Sequence, residues 1–151
     1  MKTRIKISFA LLTMIVLSSC NKGPQSIEYG NDGCHYCKMT IVDKIHASEL
    51  ITDKGKVYKF DATECMLNYL NENPNLPVGN LLTNYYESPT DLTASQEATY
   101  LISKNLPSPM GAYLTAFKSK EMAEKVQNEK GGNLYNWLPN PGTTANLLFS
   151  S

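Results

Sequence analysis

Arginine is almost missing from this sequence: Arg4 is the only one in 151 residues. All other basic side chains are Lys, and acidic and basic residues balance at 14 each. Without net positive charge or Arg clusters, the chain lacks the electrostatic footprint of a nucleic-acid binder. No Ser-His-Asp set and no glycine-rich phosphate loop is visible, so hydrolysis has no evident carrier. Histidine is confined to His35 and His46. Long apolar runs are equally scarce. The single one, residues 7–17, falls short of the roughly 20 residues that a spanning helix needs.

That run follows Lys2, Arg4 and Lys6 and precedes small residues, the layout of a secretory signal. Leu17-Ser18-Ser19-Cys20 resembles a bacterial lipobox, in which the Cys receives lipid and becomes the new N-terminus. The resemblance implies a signal peptide over residues 1–19 and an extracytoplasmic lipoprotein, anchored to the inner or outer membrane through Cys20. Acyl chains such as palmitate contribute about 0.8 kcal/mol per buried methylene, enough together for firm attachment. The alternative is an ordinary signal peptide with a Cys there by chance. Cleavage would leave 132 residues with 11 Lys against 14 acidic side chains, one compact domain or two small packed halves. Residues 21–30 are polar and turn-rich, so residues 20–33 are expected to form a lipidated start and a flexible tether. Residues 34–138 then form the folded domain, and residues 139–151, which show no pattern, a loose tail.

Residues 47–52 and 56–60 flank Asp53-Lys54-Gly55, a connection whose final Gly predicts a β-hairpin. Asp61, with Glu64 three residues later, predicts a capped helix start, and Met66, Leu67 and Leu70 give that helix an apolar face. Asn73-Pro74-Asn75 ends it. Residues 81–86 predict a strand and Ser88-Pro89-Thr90-Asp91 a turn. Residues 100–102, 112–117 and 133–137 predict further extended segments. Ser119 predicts an N-cap for a helix that begins at Lys120, turns Met122, Ala123 and Val126 inward and stops at Gly131-Gly132. Phe60 and Glu64 stand at the same spacing as Phe117 and Glu121. Each pair bridges a strand and a helix, which predicts two β-β-α units packed together in an α+β fold.

Setting Cys20 aside leaves Cys34, Cys37 and Cys65, an odd number of thiols for an exported protein. Such thiols tend to oxidise outside the cytoplasm, so their survival is easier to understand if a metal occupies them. Cys34-His35-Tyr36-Cys37-Lys38-Met39 brings three sulfurs into six residues. Thiolate with thioether is a soft donor set that selects Cu(I) over zinc or hard cations. A structural zinc site usually presents four Cys or His ligands from paired motifs, and here no second Cys-x-x-Cys exists. The same pair could also close a disulfide or act as a redox dithiol. Met39 could be core filler and Cys65 a small core residue, although a helix start would favour a thiolate at Cys65. Met66 reads as core, Met110 as a turn residue without a fixed role, and His46 as structural. His35 orients or supplements the site.

Together these residues resemble the NosL family, the lipoprotein accessory factors of nitrous oxide reductase. The resemblance spans about residues 34–138. It is carried by Cys34 to Met39, Phe60-Asp61 leading to Cys65-Met66, Asp91-Leu92-Thr93-Ala94, Tyr100-Leu101-Ile102, Pro109-Met110-Gly111, Ala116-Phe117 and Gly131-Gly132. It implies a copper chaperone without catalytic activity that binds Cu(I) and passes it to the reductase or its copper-site maturation machinery. It also implies two similar β-β-α units, related to the fold of organomercurial lyase. Carried over residue by residue, the metal ligands are Cys37, Met39 and Met110, with Cys34 and Cys65 completing the set. This chain departs from the family at Lys38, where Gly is usual, and some members have no Cys at the place of Cys34. Two other functions are open to such a sequence. One is a membrane-anchored thiol-disulfide oxidoreductase that acts on copper-site cysteines. The other, by fold analogy alone, is organomercurial cleavage.

Overall fold

The computed structural model describes residues 23–140 and 143–146, a mixed α+β arrangement. β1 (Ser48–Thr52) and β2 (Val57–Phe60) form the expected hairpin. Gly55 sits at φ 83°, the left-handed conformation that a short loop needs and that Gly adopts without a steric cost. α1 (Thr63–Glu72) follows at once and ends before Asn73-Pro74, because a residue preceding Pro is pushed out of the helical region. β3 (Val78–Tyr85) returns antiparallel along the other side of β1, and β4 (Ser88–Ala94) along β3. The sheet order is therefore β2-β1-β3-β4. β1, paired on both sides, is buried along its whole length.

The second half repeats the first. β5 (Thr99–Ile102) pairs with β6 (Leu114–Phe117), then α2 (Lys120–Lys130) leads to β7 (Asn133–Asn136) on the other side of β5. In both halves the first strand is internal and the strand after the helix pairs along its other side. Phe60 and Phe117, both fully buried, end the second strand of each half. The two β-β-α units are thus present, the first extended by β3 and β4 and the second by β7. Ser119 caps α2 by accepting the Met122 amide at 3.2 Å. After the helix, Gly132 lies at φ 102°, where any Cβ would run into the Ile102 carbonyl.

Three local expectations give way. Ser88-Pro89-Thr90-Asp91 is not the turn: Tyr86 and Glu87 make it, and residues 88–94 pair as β4. β4 is the edge of its sheet, the one place where a Pro costs no ladder hydrogen bond. In the tail, Leu138–Asn140 (β8) pairs with Thr143–Asn146 (β9) where no pattern was legible. The stretch expected as tether is fixed well before residue 33. The Gln25 amide donates to both oxygens of the Glu49 carboxylate at 3.1 and 3.2 Å, Ile27 joins the core, and Tyr29 donates to Asn84 Oδ1 at 2.8 Å.

The first half packs Ile41, Leu50, Phe60, Cys65, Met66 and Leu70 in one core, and the second packs Leu101, Phe117, Ala123 and Val126. Burying each Val, Leu, Ile, Phe or Met side chain among them contributes about 1.5–3 kcal/mol. Between the halves Tyr85 and Leu67 pack against Tyr100, Leu114 and Ala116, and several polar bonds cross as well. His46 Nε2 lies 3.0 Å from Thr115 Oγ1, the Tyr86 amide donates to the Ala116 carbonyl at 2.9 Å, and the Ser108 hydroxyl donates to Glu64 Oε1. His46 is structural, as expected: it is buried, with Asp43 Oδ2 3.0 Å from its Nδ1. No helix among the described residues is long and apolar enough to cross a membrane.

Candidate metal centre

The loop that carries the first two thiols is closed on itself and then fastened to β2. The Cys34 amide donates to the Met39 carbonyl at 2.7 Å, the Lys38 amide to the Cys34 carbonyl at 3.1 Å, and Gly33 bridges Thr40. The His35 amide donates to the Lys59 carbonyl at 2.8 Å. This bond sets the loop beside Phe60-Asp61, the step from β2 into α1, and one helical turn later stands Cys65. Lys38 adopts φ 66°, a backbone conformation that Gly takes up without a steric cost. Left-handed backbone costs a side-chain-bearing residue roughly 1–2 kcal/mol, part of which Gly returns as unfolded-chain entropy. Lys38→Gly is therefore expected to stabilise the fold by about 1 kcal/mol, read as a higher midpoint in thermal melts. A lower midpoint would contradict this account of the loop.

The sulfurs of Cys34, Cys37 and Cys65 and a carboxylate oxygen of Asp61 all lie within 4.8 Å of one another. Cys34, Cys65 and Asp61 are buried, Cys37 is half-buried, and all three cysteines are free thiols. Asp61 is not the helix cap it resembles. Ala62 occupies that position without any side-chain bond, while Asp61 Oδ1 accepts from the thiols of Cys65 at 3.2 Å and Cys37 at 3.4 Å. Sequence reasoning missed Asp61 as part of the cluster. The signal was its spacing, four residues before Cys65, which puts both side chains on one side of a helix start.

The three thiols differ sharply in acidity. A hydrogen bond from Cys65 outweighs burial at Cys34 and lowers its pKa to about 6. Burial, against a hydrogen bond from the Met39 backbone, raises Cys37 to about 11. Cys65 is pushed up strongly because its proton is held by Cys34, by burial and by Asp61. This reverses the thiolate expected at Cys65: the helix-end field is worth at most about 2 kcal/mol, less than burial beside a carboxylate costs. Cys34 is thus ionised at neutral pH and its neighbours hold their protons.

His35 stands outside the cluster and packs edge-on against Tyr58 and Tyr69, with ring centroids 4.5 and 5.1 Å away. Met39 is 48% exposed, and its backbone carbonyl is tied to Cys34. Met110 is 38% exposed, in a turn closed by the Gly111 amide on the Ser108 carbonyl at 3.0 Å. Ser108 in turn bonds Glu64, the residue before Cys65. The structure therefore groups three of the five expected ligands, adds Asp61, and ties the turn that carries Met110 to the helix that carries Cys65. Cys20 lies outside the described residues.

The NosL family matches residues 25–138. The crystal structure of the copper chaperone NosL from Shewanella denitrificans aligns with a TM-score of 0.66 and 23% identity, covering 76% of this chain and 92% of that one. The likeness establishes the shared fold. No curated protein matches.

Proposed function

The chain belongs to the NosL family, and on that premise we propose that it is a carrier for Cu(I), not a catalyst. In this reading it holds the ion outside the cytoplasm and delivers it to nitrous oxide reductase, to its copper-site maturation machinery or to a similar copper enzyme. The carrying observation is the gathering of three free thiols with exposed methionines on the loop and turn tied to them. Thioethers keep their donor ability at any pH and can meet an incoming ion at the surface, while thiolates hold it below. A singly charged ion also suits a buried cluster in which one thiol is ionised and another resists ionisation. Thiol-disulfide exchange is the weaker reading, because Cys34, the thiolate that would attack, is only 2% exposed and reactive cysteines need access. On the same reading the lipobox makes Cys20 the membrane anchor. Cys20→Ser should then release the protein from membranes or leave the precursor uncleaved, and unchanged fractionation would remove the anchor.

Titrating the purified, reduced protein with Cu(I) against a chelator should give about one tightly held ion that displaces Zn²⁺. Zinc retained against excess Cu(I) would overturn the choice of metal. Affinity should rise with pH, since protons compete for thiolates. Between pH 7 and 9 Cys37, at about 11, still has a proton to lose, so affinity should rise roughly tenfold per pH unit. Below about pH 6 the Cys34 thiolate is itself protonated, and the fall should steepen. A flat profile over this range would mean that thiolates do not bind the ion.

A further inference from the structure

We propose that Ser108 and Glu64 are positioning residues that hold Met110 in place to receive copper; this rests on the reading above that Met110 is a ligand. Glu64 is 6% exposed, yet it lies on the first turn of α1, where solvent is normally within reach. A carboxylate buried there is costly unless it is bonded. Its Oε1 accepts from the Ser108 hydroxyl, while Oε2 has no partner. Its counterpart in the second half, Glu121, is exposed, so the repeat alone does not call for burial at Glu64.

Ser108 is the knot of the Met110 turn. Its hydroxyl accepts the Tyr113 amide at 2.9 Å, and its carbonyl accepts the Gly111 amide at 3.0 Å. The turn needs such fixing, because Tyr113 stands at φ 61°, left-handed backbone that a non-glycine residue adopts only when its surroundings enforce it. One serine thus sets the shape of the 108–113 segment and, through Glu64, its place on α1 next to Cys65. Met110 itself remains 38% exposed, so its own packing does little to locate it. A ligand supplied by a surface turn needs such support, since affinity depends on how well outer groups orient the donor atoms.

The test compares Cu(I) affinities of the purified, reduced full chain under chelator competition, with a thermal melt for each variant. Met110→Leu should lose affinity about tenfold or more. Ser108→Ala, and independently Glu64→Met, should lose a similar factor. Glu64→Gln keeps an oxygen acceptor and should bind like the wild type. Ser108→Ala combined with Met110→Leu should bind no more weakly than Met110→Leu alone. If Met110→Leu binds normally, the ligand reading itself fails. If Met110→Leu weakens binding while Ser108→Ala or Glu64→Met folds and binds normally, that reading stands and the positioning role is overturned. Losses that multiply in the double variant overturn it too, as they would mean general damage.

Discussion

Cys37→Ser is expected to lower Cu(I) affinity by roughly a hundredfold or more, since removing even an outer partner of a ligand costs ten- to a hundredfold. Serine keeps the volume and can still donate to Asp61, so the loop and its fastening to β2 should survive. What disappears is the sulfur. A hydroxyl does not ionise near neutral pH, and its hard oxygen suits Cu(I) poorly. Cys37 is also the half-buried member of the trio, between buried Cys34 and Cys65 and the surface, so its loss cuts the route as well as the site. Chelator competition on reduced protein gives the affinity, and a melting curve verifies the fold. Unchanged affinity would show that the ion is held elsewhere.

Phe60→Ala is expected to cost about 3–5 kcal/mol, the usual penalty for emptying an aromatic site in a core. Phe60 is fully buried, its ring is 5.6 Å from Tyr69 and 6.4 Å from His35, and it pairs with Ser48 across β1. A typical domain has only about 5–15 kcal/mol to lose, so the melting temperature should fall by more than about 10 °C. The residue also precedes Asp61, and the empty space would open in the core that Cys34 and Cys65 share. A cost under about 1 kcal/mol would mean that the first core collapses around the gap.

What could be read in advance was whatever short-range chemistry controls. Gly55 specifies a tight hairpin, Ser119 a helix start and Gly131 a helix end, and each acts through its immediate neighbours. The repeat of strand, strand and helix was legible for the same reason. The Cys-x-x-Cys loop announced itself by spacing, although only the fold shows that Cys65 joins it. Asp61 was misread because a carboxylate before a helix usually caps it, and here two thiols 24 and 4 residues away compete for it. The acidity of Cys65 was misjudged likewise, because burial and neighbours do not show in a string of letters. Pro89 suggested a turn because sequence does not reveal that its strand will lie at an edge. The strapping of residues 25–29 depends on Glu49 and Asn84, partners 24 and 55 positions away.

The bond between Gln25 and Glu49 also sets the length of a leash. If lipid is attached at Cys20, at most five residues would separate the bilayer from a bond that fixes the domain, a reach of at most about 18 Å. A domain of this size has a radius of gyration of about 13 Å, so the leash would be shorter than the body that it holds is wide. So tethered, the protein would swivel without travelling far from the lipid, and a bound ion would stay in a thin layer above the membrane. A recipient on the same membrane would then be met by a search in two dimensions rather than three. Under such confinement a weak, brief docking contact would suffice for hand-over, and lengthening the segment between residues 20 and 25 would dilute that advantage without touching the thiol cluster.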